Sequence, residues 1–372
     1  MTTLPVHLTG FADQYQINPR AAAQAWFAEA GFGLFMHYGL YALHGQGDWG
    51  MYNQAMPLAE YERLAERFTA ERFDADFITD LACEAGCRYV NLTSKHHDGF
   101  LLWDSANCPY NSMHSAARRD LVAELAEQCR RKGLGLFLYY SYALDWHHPW
   151  FFSLDYFDRA RPRYPSPEPS YRFAKAEDFQ HYIDDVHAQL TELLTNYGPL
   201  AGLWFDPEMA YYAQPDLFPL AKTYALIRRL QPHALISFKQ GASGDEDFAA
   251  PEGRGLPMVE KIRSRLGEAT LQRAQNAWEA HKDKRGEVCD TLSWAWSYHH
   301  NNPDHHISVD EAMAKLAEAW QRNCNLLLNT GPEPDGAIPA PDIATLREMG
   351  RRIRAGDLPQ PSGEKISTGT LP

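Results

Sequence analysis

The chain has 372 residues, 45% of them hydrophobic, which is enough to bury one large core or two smaller ones. Its formal net charge of −13 argues against nucleic acid as a partner, because phosphate binding requires a basic face. No apolar stretch approaches the length of a membrane span, and the first residues lack the basic and apolar regions of a signal peptide. We therefore expect a cytoplasmic protein without a membrane partner.

Strand-like apolar runs alternate with amphipathic helices along most of the chain. In chain order, the predicted strands are residues 32–38, 89–94, 134–142, 200–206, 234–238, 288–294 and 325–329. Repeated strand–helix units are typical of a parallel sheet with both faces covered. At this length they favour an α/β fold of the (β/α)8-like barrel type, distorted because only seven strands are found. A doubly wound sheet is the second choice of fold, because no glycine-rich phosphate loop follows the first strand.

The intervening helices carry recognisable ends. They are predicted at residues 74–84, 121–131, 177–196, 217–230 and 312–322, followed by a last helix through Ile343 and Ile353. Asp120 is placed to cap the second of these, and Ser308 with Glu311 forms a capping box before the fifth. We assign residues 1–356 to one barrel domain and residues 357–372 to a polar tail.

Polar clusters follow most of the predicted strands, at the end where functional groups of such barrels lie. The most informative is the tripeptide Trp204-Phe205-Asp206, which closes an apolar run. Strand alternation puts Trp204 and Asp206 on the same side of the sheet. A carboxylate beside an apolar ring at a strand end suits a nucleophile in a sugar pocket.

Several of these strand ends together resemble a known family. The segments are FGLFMHYGLY at 32–41, KHHDGF at 95–100, LYYS at 138–141, LWFD at 203–206 and NLLLNTGPEPDG at 325–336. Over roughly residues 25–345 the chain resembles glycoside hydrolase family 29, the α-L-fucosidases. The resemblance implies a barrel enzyme that hydrolyses terminal α-linked L-fucose from oligosaccharides or glycoconjugates. It also implies a retaining double-displacement mechanism with Asp206 as nucleophile and with neither metal nor cofactor.

The resemblance leaves the second carboxyl group, the general acid/base, open. Glu252 is the first choice, because it follows Asp247-Phe248 and Pro251 in a stretch similar to one found in the family. Glu287 is the alternative, since Glu287-Val288-Cys289 resembles the family's Glu-x-Cys before the sixth strand. Glu246 is a distant third.

The resemblance also implies a set of sugar contacts. They are His37, Asp48, Trp49, His96, His97, Tyr140, Trp204 and Lys239. Tyr140 matches a tyrosine near the nucleophile, and Lys239 stands where many relatives carry an arginine. The length leaves no room for the C-terminal β-sandwich common in the family. A homo-oligomer is one way in which neighbouring subunits could cover the rim instead.

Two other functions are weighed. The sixteen histidines suggest a metal-dependent barrel hydrolase as a second hypothesis, although no His-x-His follows the first strand. The absence of the arginine that many relatives carry at the position of Lys239 suggests a third hypothesis, a fucose-binding protein that has lost catalysis. Each is ranked below the fucosidase.

Overall fold

A computed structural model describes residues 4–253, 258–301 and 305–357. It contains seven strands, all parallel to their neighbours, in the order β5-β4-β3-β2-β1-β7-β6. Their bounds are β1 Phe32–Met36, β2 Tyr89–Lys95, β3 Gly135–Ser141, β4 Gly202–Asp206, β5 Leu235–Phe238, β6 Gly286–Thr291 and β7 Cys324–Thr330. The predicted tail lies, from residue 358 onward, outside the described residues.

Helices cover the outside of this sheet. They are α1 Ala12–Ile17, α2 Pro19–Ala30, α3 Leu40–His44, α4 Gly50–Asn53, α5 Leu58–Glu62, α6 Ala75–Ala85, α7 Leu121–Lys132, α8 Phe179–Asn196, α9 Glu208–Ala213, α10 Leu220–Leu230, α11 Met258–Leu266, α12 Glu268–Glu279, α13 Val309–Gln321 and α14 Ala340–Ala355. The predicted caps are present: Asp120 accepts a hydrogen bond from the Ala123 amide, and Ser308 and Glu311 form the capping box. In the part of the chain that the structure describes, no helix has the length and apolar character needed to cross a membrane.

The seven strands of the prediction are confirmed, with ends that shift by one or two residues in six of them and by up to three in the sixth. The sixth strand is placed at 286–291 rather than 288–294. The chain leaves the sheet after Thr291 because the hydroxyls of Thr291 and Ser293 donate to the carbonyl of Ala295, at 3.1 and 2.8 Å, and form a turn. Trp294 therefore belongs to a loop and is 44% exposed.

An irregular segment, residues 247–253, takes the place of an eighth strand between β5 and β6. On one side the Asp247 amide donates to Ile236 at 2.7 Å. On the other side the amides of Glu287 and Cys289 donate to Ala249 and Pro251, at 2.9 and 3.1 Å. This eighth segment closes the sheet into a distorted (β/α)8-like barrel, as predicted. It escaped the strand prediction because it carries no apolar run of its own.

The barrel interior is packed with aromatic rings that enter from alternate positions of the strands. Phe35, Tyr139 and Trp204 form its upper layer, while Tyr89 and Phe137 form the layer beneath. A Cβ on Gly33 would lie 2.3 Å from the ring of Tyr89, so glycine is required there for the ring to point inward. Below them the helix α2 closes the bottom of the barrel.

One carboxyl group, Glu287, is buried in this aromatic interior. The Trp204 indole donates to its Oε1 at 2.9 Å, and the Tyr89 hydroxyl donates to its Oε2. Burial raises the pKa of Glu287 to about 7, although both hydrogen bonds oppose the rise. Because Glu287 fixes the indole of Trp204, it supports the upper layer from below.

Glu287→Gln is expected to change how stability depends on pH. The folded-state pKa lies above the ordinary value of 4.5, so the folded protein binds a proton that the unfolded chain has released. Stability from this group is therefore full below pH ~4.5 and is lost as pH rises through ~7, by about 2–3 kcal/mol between pH 5 and 8. Urea unfolding of both proteins at several pH values measures the difference. Parallel curves of unfolding free energy against pH for wild type and variant would show that burial does not shift the pKa of Glu287.

Candidate active site

A cavity of about 430 Å³ opens at the carboxyl ends of the strands, directly above the aromatic layers. This volume lies in the range of small-molecule sites. Nine of the residues predicted for the site line it: His37, Asp48, Trp49, His96, His97, Trp204, Asp206, Lys239 and Glu252. Two predicted residues, Tyr140 and Glu287, lie outside its lining.

Asp206 is the last residue of β4, and its side chain lies at the cavity floor with 8% exposed. The Tyr139 hydroxyl donates to Oδ2 at 2.7 Å, and His97 Nε2 lies 3.6 Å from the same oxygen. The other oxygen, Oδ1, accepts no hydrogen bond of good geometry from any described residue, although Lys239 Nζ lies 3.2 Å away. One oxygen is thus held by Tyr139, while the other is enclosed beside the Lys239 ammonium.

The tyrosine beside Asp206 is Tyr139, which corrects the prediction of Tyr140 by one residue. In the register of β3 with β4, Tyr139 is the partner of Trp204, and both point into the barrel. Tyr140 points to the opposite face, where its hydroxyl donates to Gln189 of α8 at 2.6 Å. Strand alternation, counted from Trp204, would have distinguished the two.

Lys239 joins two carboxylates of the cavity. Its ammonium lies 3.2 Å from Asp206 Oδ1 and is ion-paired with Glu252 Oε1. Lys239 immediately follows β5 with a left-handed backbone, φ 47°, a conformation that costs a side chain other than glycine about 1 kcal/mol. Burial would lower the pKa of Lys239, but Asp206, Glu252 and Glu208 raise it well above the ordinary value, so the group stays charged.

The three candidates for the second carboxyl group occupy different places. Glu252, on the eighth segment, lies in the cavity with 28% of its side chain exposed. Glu287 lies one layer below the floor, where its oxygens are occupied by Tyr89 and Trp204, and does not face the cavity. Glu246 is buried elsewhere, with its oxygens held by Tyr224 and by backbone amides. The geometry therefore favours Glu252.

A further carboxyl group, Glu208, lines the cavity and was missed from the sequence. It opens α9, two residues after Asp206, and is only 3% exposed. Burial raises the pKa of Glu208 to about 7; Lys239 opposes the rise and Asp206 adds to it. No sequence motif marks this position, but an acid two residues beyond a strand end is a detectable signal.

His37 and His97 present bare nitrogen atoms to the cavity. His37 Nδ1 lies 2.7 Å from Asn329 Oδ1, an acceptor, so Nδ1 carries the proton and Nε2 is free to accept. Ser141 uses its own proton on the Leu144 carbonyl, so it accepts from His97 Nδ1 at 2.6 Å. Burial lowers the pKa of both imidazoles, that of His37 to about 3, which keeps them neutral.

His96, Asp48 and Trp49 complete the wall. Strand alternation would separate His96 from His97, but β2 ends at Lys95 and the chain then turns, so both rings reach the cavity with centroids 4.1 Å apart. His96 Nε2 lies 3.8 Å from Asp48 Oδ2. Burial raises the pKa of Asp48 to about 6, and the hydrogen bond from Ser297 opposes the rise. The Trp49 ring packs edge-on against His97 at 5.2 Å.

The arrangement combines acid–base groups, neutral acceptors and aromatic faces, which suits a polyhydroxylated ligand. Within residues 4–253, 258–301 and 305–357, no group of three or more His, Cys, Asp or Glu side chains is arranged to hold a metal ion.

Comparison with known proteins agrees with this site. Residues 9–355 match the family model described as Alpha-L-fucosidase. Tissue alpha-L-fucosidase of Mus musculus is 34% identical over 382 residues, 96% of this chain and 74% of that protein. Plasma alpha-L-fucosidase of Rattus norvegicus is 27% identical, over 90% of this chain and 70% of that protein.

Solved structures agree as well. Alpha-L-fucosidase isoenzyme 1 from Paenibacillus thiaminolyticus matches with a TM-score of 0.71 and 32% identity, covering 91% of this chain and 77% of that one. A variant of alpha-L-fucosidase AlfC from Lactobacillus casei, in complex with Fuca(1,6)GlcNAc, matches with a TM-score of 0.71 and 26% identity, covering 90% and 99%. By its sequence, its fold and the match over nearly its whole length, this chain belongs to the alpha-L-fucosidase family of glycoside hydrolases.

Proposed function

We propose that this protein is a retaining exo-α-L-fucosidase that releases terminal L-fucose from fucosylated oligosaccharides or glycoconjugates. The observation that carries the proposal is the geometry at Asp206. One of its oxygens accepts a hydrogen bond from Tyr139, the other lies 3.2 Å from the Lys239 ammonium, and a second carboxyl group, Glu252, contacts the same lysine. The complex of the L. casei relative with a fucosylated disaccharide supports the substrate class.

In the first step the Asp206 carboxylate attacks the anomeric carbon of fucose. The bond from that carbon to the aglycone oxygen breaks, and the oxygen takes a proton from Glu252. The product is a fucosyl ester on Asp206. Two carboxylates that contact one ammonium lie on the order of 5 Å apart, the separation of retaining glycosidases.

In the second step water attacks the same carbon. Glu252, now a carboxylate, takes the proton from that water, and the bond to Asp206 breaks. Lys239 fits this sequence: once the ester has neutralised Asp206, the ammonium remains with Glu252 and favours the ionised form that the second step requires. Two inversions give retention of configuration.

The polar wall binds the sugar hydroxyls. His37 and His97 are neutral and each offers Nε2 as an acceptor, so each takes a proton from a hydroxyl rather than giving one. Trp204 provides an apolar floor, held in place by Glu287. These groups distinguish a sugar from an apolar ligand of the same size, because an apolar ligand would leave the acceptors unpaired.

Neither alternative function has an observation in its favour. Family membership argues against a different barrel hydrolase. A binding protein without catalysis would have no use for an anchored carboxylate and a second carboxylate within its reach.

Cytoplasmic localisation and homo-oligomerisation are also proposed, with cell fractionation and light scattering as their tests.

Azide rescue tests the two catalytic assignments. On 4-nitrophenyl α-L-fucoside, Asp206→Gly is expected to lose roughly 10³-fold or more in kcat, and Glu252→Ala roughly 10²–10⁴-fold. Azide replaces the missing carboxylate in each variant. NMR should then identify β-fucosyl azide from Asp206→Gly, by single displacement, and α-fucosyl azide from Glu252→Ala, by capture of the ester.

The same assay on Glu208→Gln provides the comparison, because Glu208 is the other carboxyl group in the cavity with a raised pKa. We expect no azide rescue of this variant. Rescue of Glu208→Gln to α-fucosyl azide, with none for Glu252→Ala, would transfer the acid/base role to Glu208. An inactive wild type on every α-L-fucoside would refute the proposed function itself.

A pair of neighbouring tyrosines tests how the nucleophile is tuned. The Tyr139 hydroxyl favours the ionised form of Asp206, so Tyr139→Phe should raise the pKa of Asp206. The acid limb of the kcat/KM profile should move to higher pH, and kcat/KM should fall by about 10–100-fold. In Tyr140→Phe the acid limb should stay in place and stability should fall by about 1–2 kcal/mol, because the bond to Gln189 and the longer bond from Lys95 Nζ, at 3.4 Å, are lost. Equal shifts in both variants would refute the assignment of Tyr139.

A further inference from the structure

The charged residues that line the cavity differ in exposure. The carboxyl groups of Asp48, Asp206 and Glu208 are buried, Lys239 is 14% exposed and Glu252 28%. Two arginines belong to the lining on other elements: Arg159, from the long segment after β3, and Arg265, from α11. In a chain with a net charge of −13, two cations side by side in one cavity wall require an explanation.

Arg159 forms no ion pair within 4.0 Å with a described carboxylate, although Asp158 lies near enough to oppose the fall in its pKa. Its guanidinium lies over the Trp49 ring, 5.5 Å from the centroid, and no described carboxylate lies within ion-pair distance. Arg161, two residues further, is a useful contrast. It is buried, and it donates to the backbone carbonyls of Asp145, Trp146, His148 and Phe151. The hydrogen bonds of Arg161 explain a structural role, whereas the donors of Arg159 are left for a ligand.

Arg265 adds a second positive charge nearby. It lies 4.0 Å from Asp158 Oδ2, a loose contact between two exposed side chains. Burial and the charge of Arg265 both lower the pKa of Arg159, whereas Asp158 and Tyr52 oppose the fall. Like charges that face one cavity are stabilised when an anion binds between them.

The position of Arg159 indicates which part of a substrate it would meet. The Arg159 guanidinium lies 5.5 Å from the centroid of Trp49, and the same ring lies 5.2 Å from that of His97. Arg159 is half-buried and Arg265 is exposed, so both lie nearer the cavity mouth than the buried Asp206. The group linked to fucose through its anomeric oxygen has to extend away from the floor, into this outer part of the cavity.

We propose that Arg159 and Arg265 form an anion-binding subsite for the aglycone, so that the enzyme prefers fucosides whose adjoining residue carries a carboxylate or a sulfate ester. This inference rests on the proposed fucosidase function. It identifies acidic oligosaccharides as the substrate class, although the overall charge of the chain points the other way.

The test compares selectivity ratios rather than rates. We would measure kcat/KM on 4-carboxyphenyl and 4-sulfooxyphenyl α-L-fucosides, each divided by kcat/KM on the neutral methyl ester of the first. Differences in leaving-group reactivity cancel when one ratio is compared between variants. Arg159→Gln should lower the ratio about five- to tenfold, and the more exposed Arg265→Gln about two- to fivefold. Added salt should lower the wild-type ratio.

Arg263→Gln is the matched control. It removes the same charge from the same helix, but Arg263 faces Glu268 and does not line the cavity, so its ratio should equal that of wild type. Arg159→Lys keeps the charge and should retain part of the preference, which separates lost charge from disturbed packing on Trp49. A decrease with one of the two anionic substrates alone would assign the subsite to that anion.

Unchanged ratios in Arg159→Gln and Arg265→Gln, or an equal decrease in Arg263→Gln, would overturn the subsite. Absence of hydrolysis of the neutral fucoside by wild type would instead refute the underlying fucosidase function. The two failures are therefore distinguishable in one set of assays.

Discussion

The ammonium group of Lys239 is the interaction on which the site depends. It lies among acidic groups that burial would otherwise drive toward the protonated form, and it contacts Asp206 and Glu252 directly. A buried ion pair contributes little net stability, but removing one partner leaves an uncompensated charge, at a cost of about 3–5 kcal/mol. The lysine therefore opposes the rise in the pKa of Asp206 that burial causes, and so favours its ionised form within an aromatic floor. The left-handed backbone at Lys239, just after β5, directs this side chain. The conformation of the chain after β5 therefore affects the ionisation of Asp206 at the end of β4.

The floor itself is organised by strand alternation. Tyr139 and Trp204 pair across β3 and β4, so the ring that supports the sugar and the hydroxyl that anchors Asp206 arise from one register. Below them Glu287 holds the indole of Trp204. If either strand shifted by one residue, the side chains that now form the floor would point toward the helices, and their neighbours would point into the barrel. The register of β3 and β4 thus determines both the packing of the barrel interior and the geometry of the cavity floor.

Sequence patterns were sufficient for most of this arrangement. Apolar runs located all seven strands, and polar residues at strand ends located Asp206, the histidines and Lys239, because parallel strands end at one rim. Tyr140 was chosen over Tyr139 because the segment was matched as a motif and not counted by alternation. Glu208 was missed although an acid two residues beyond a strand end is a local signal, whereas the surroundings of Arg159 depend on neighbours distant in sequence, which no local pattern encodes. The eighth segment lacked the apolar signature of a strand.

The eighth segment also affects how such sites can change. Asp206 belongs to a regular strand, in which inserting one residue reverses the direction of every following side chain. Residues 247–253 are hydrogen-bonded to β5 and β6 only in places, so an insertion or deletion there changes which residue presents its side chain without disturbing the flanking strands. Asp206 is therefore positioned by a regular strand, whereas Glu252 is positioned by an irregular connection.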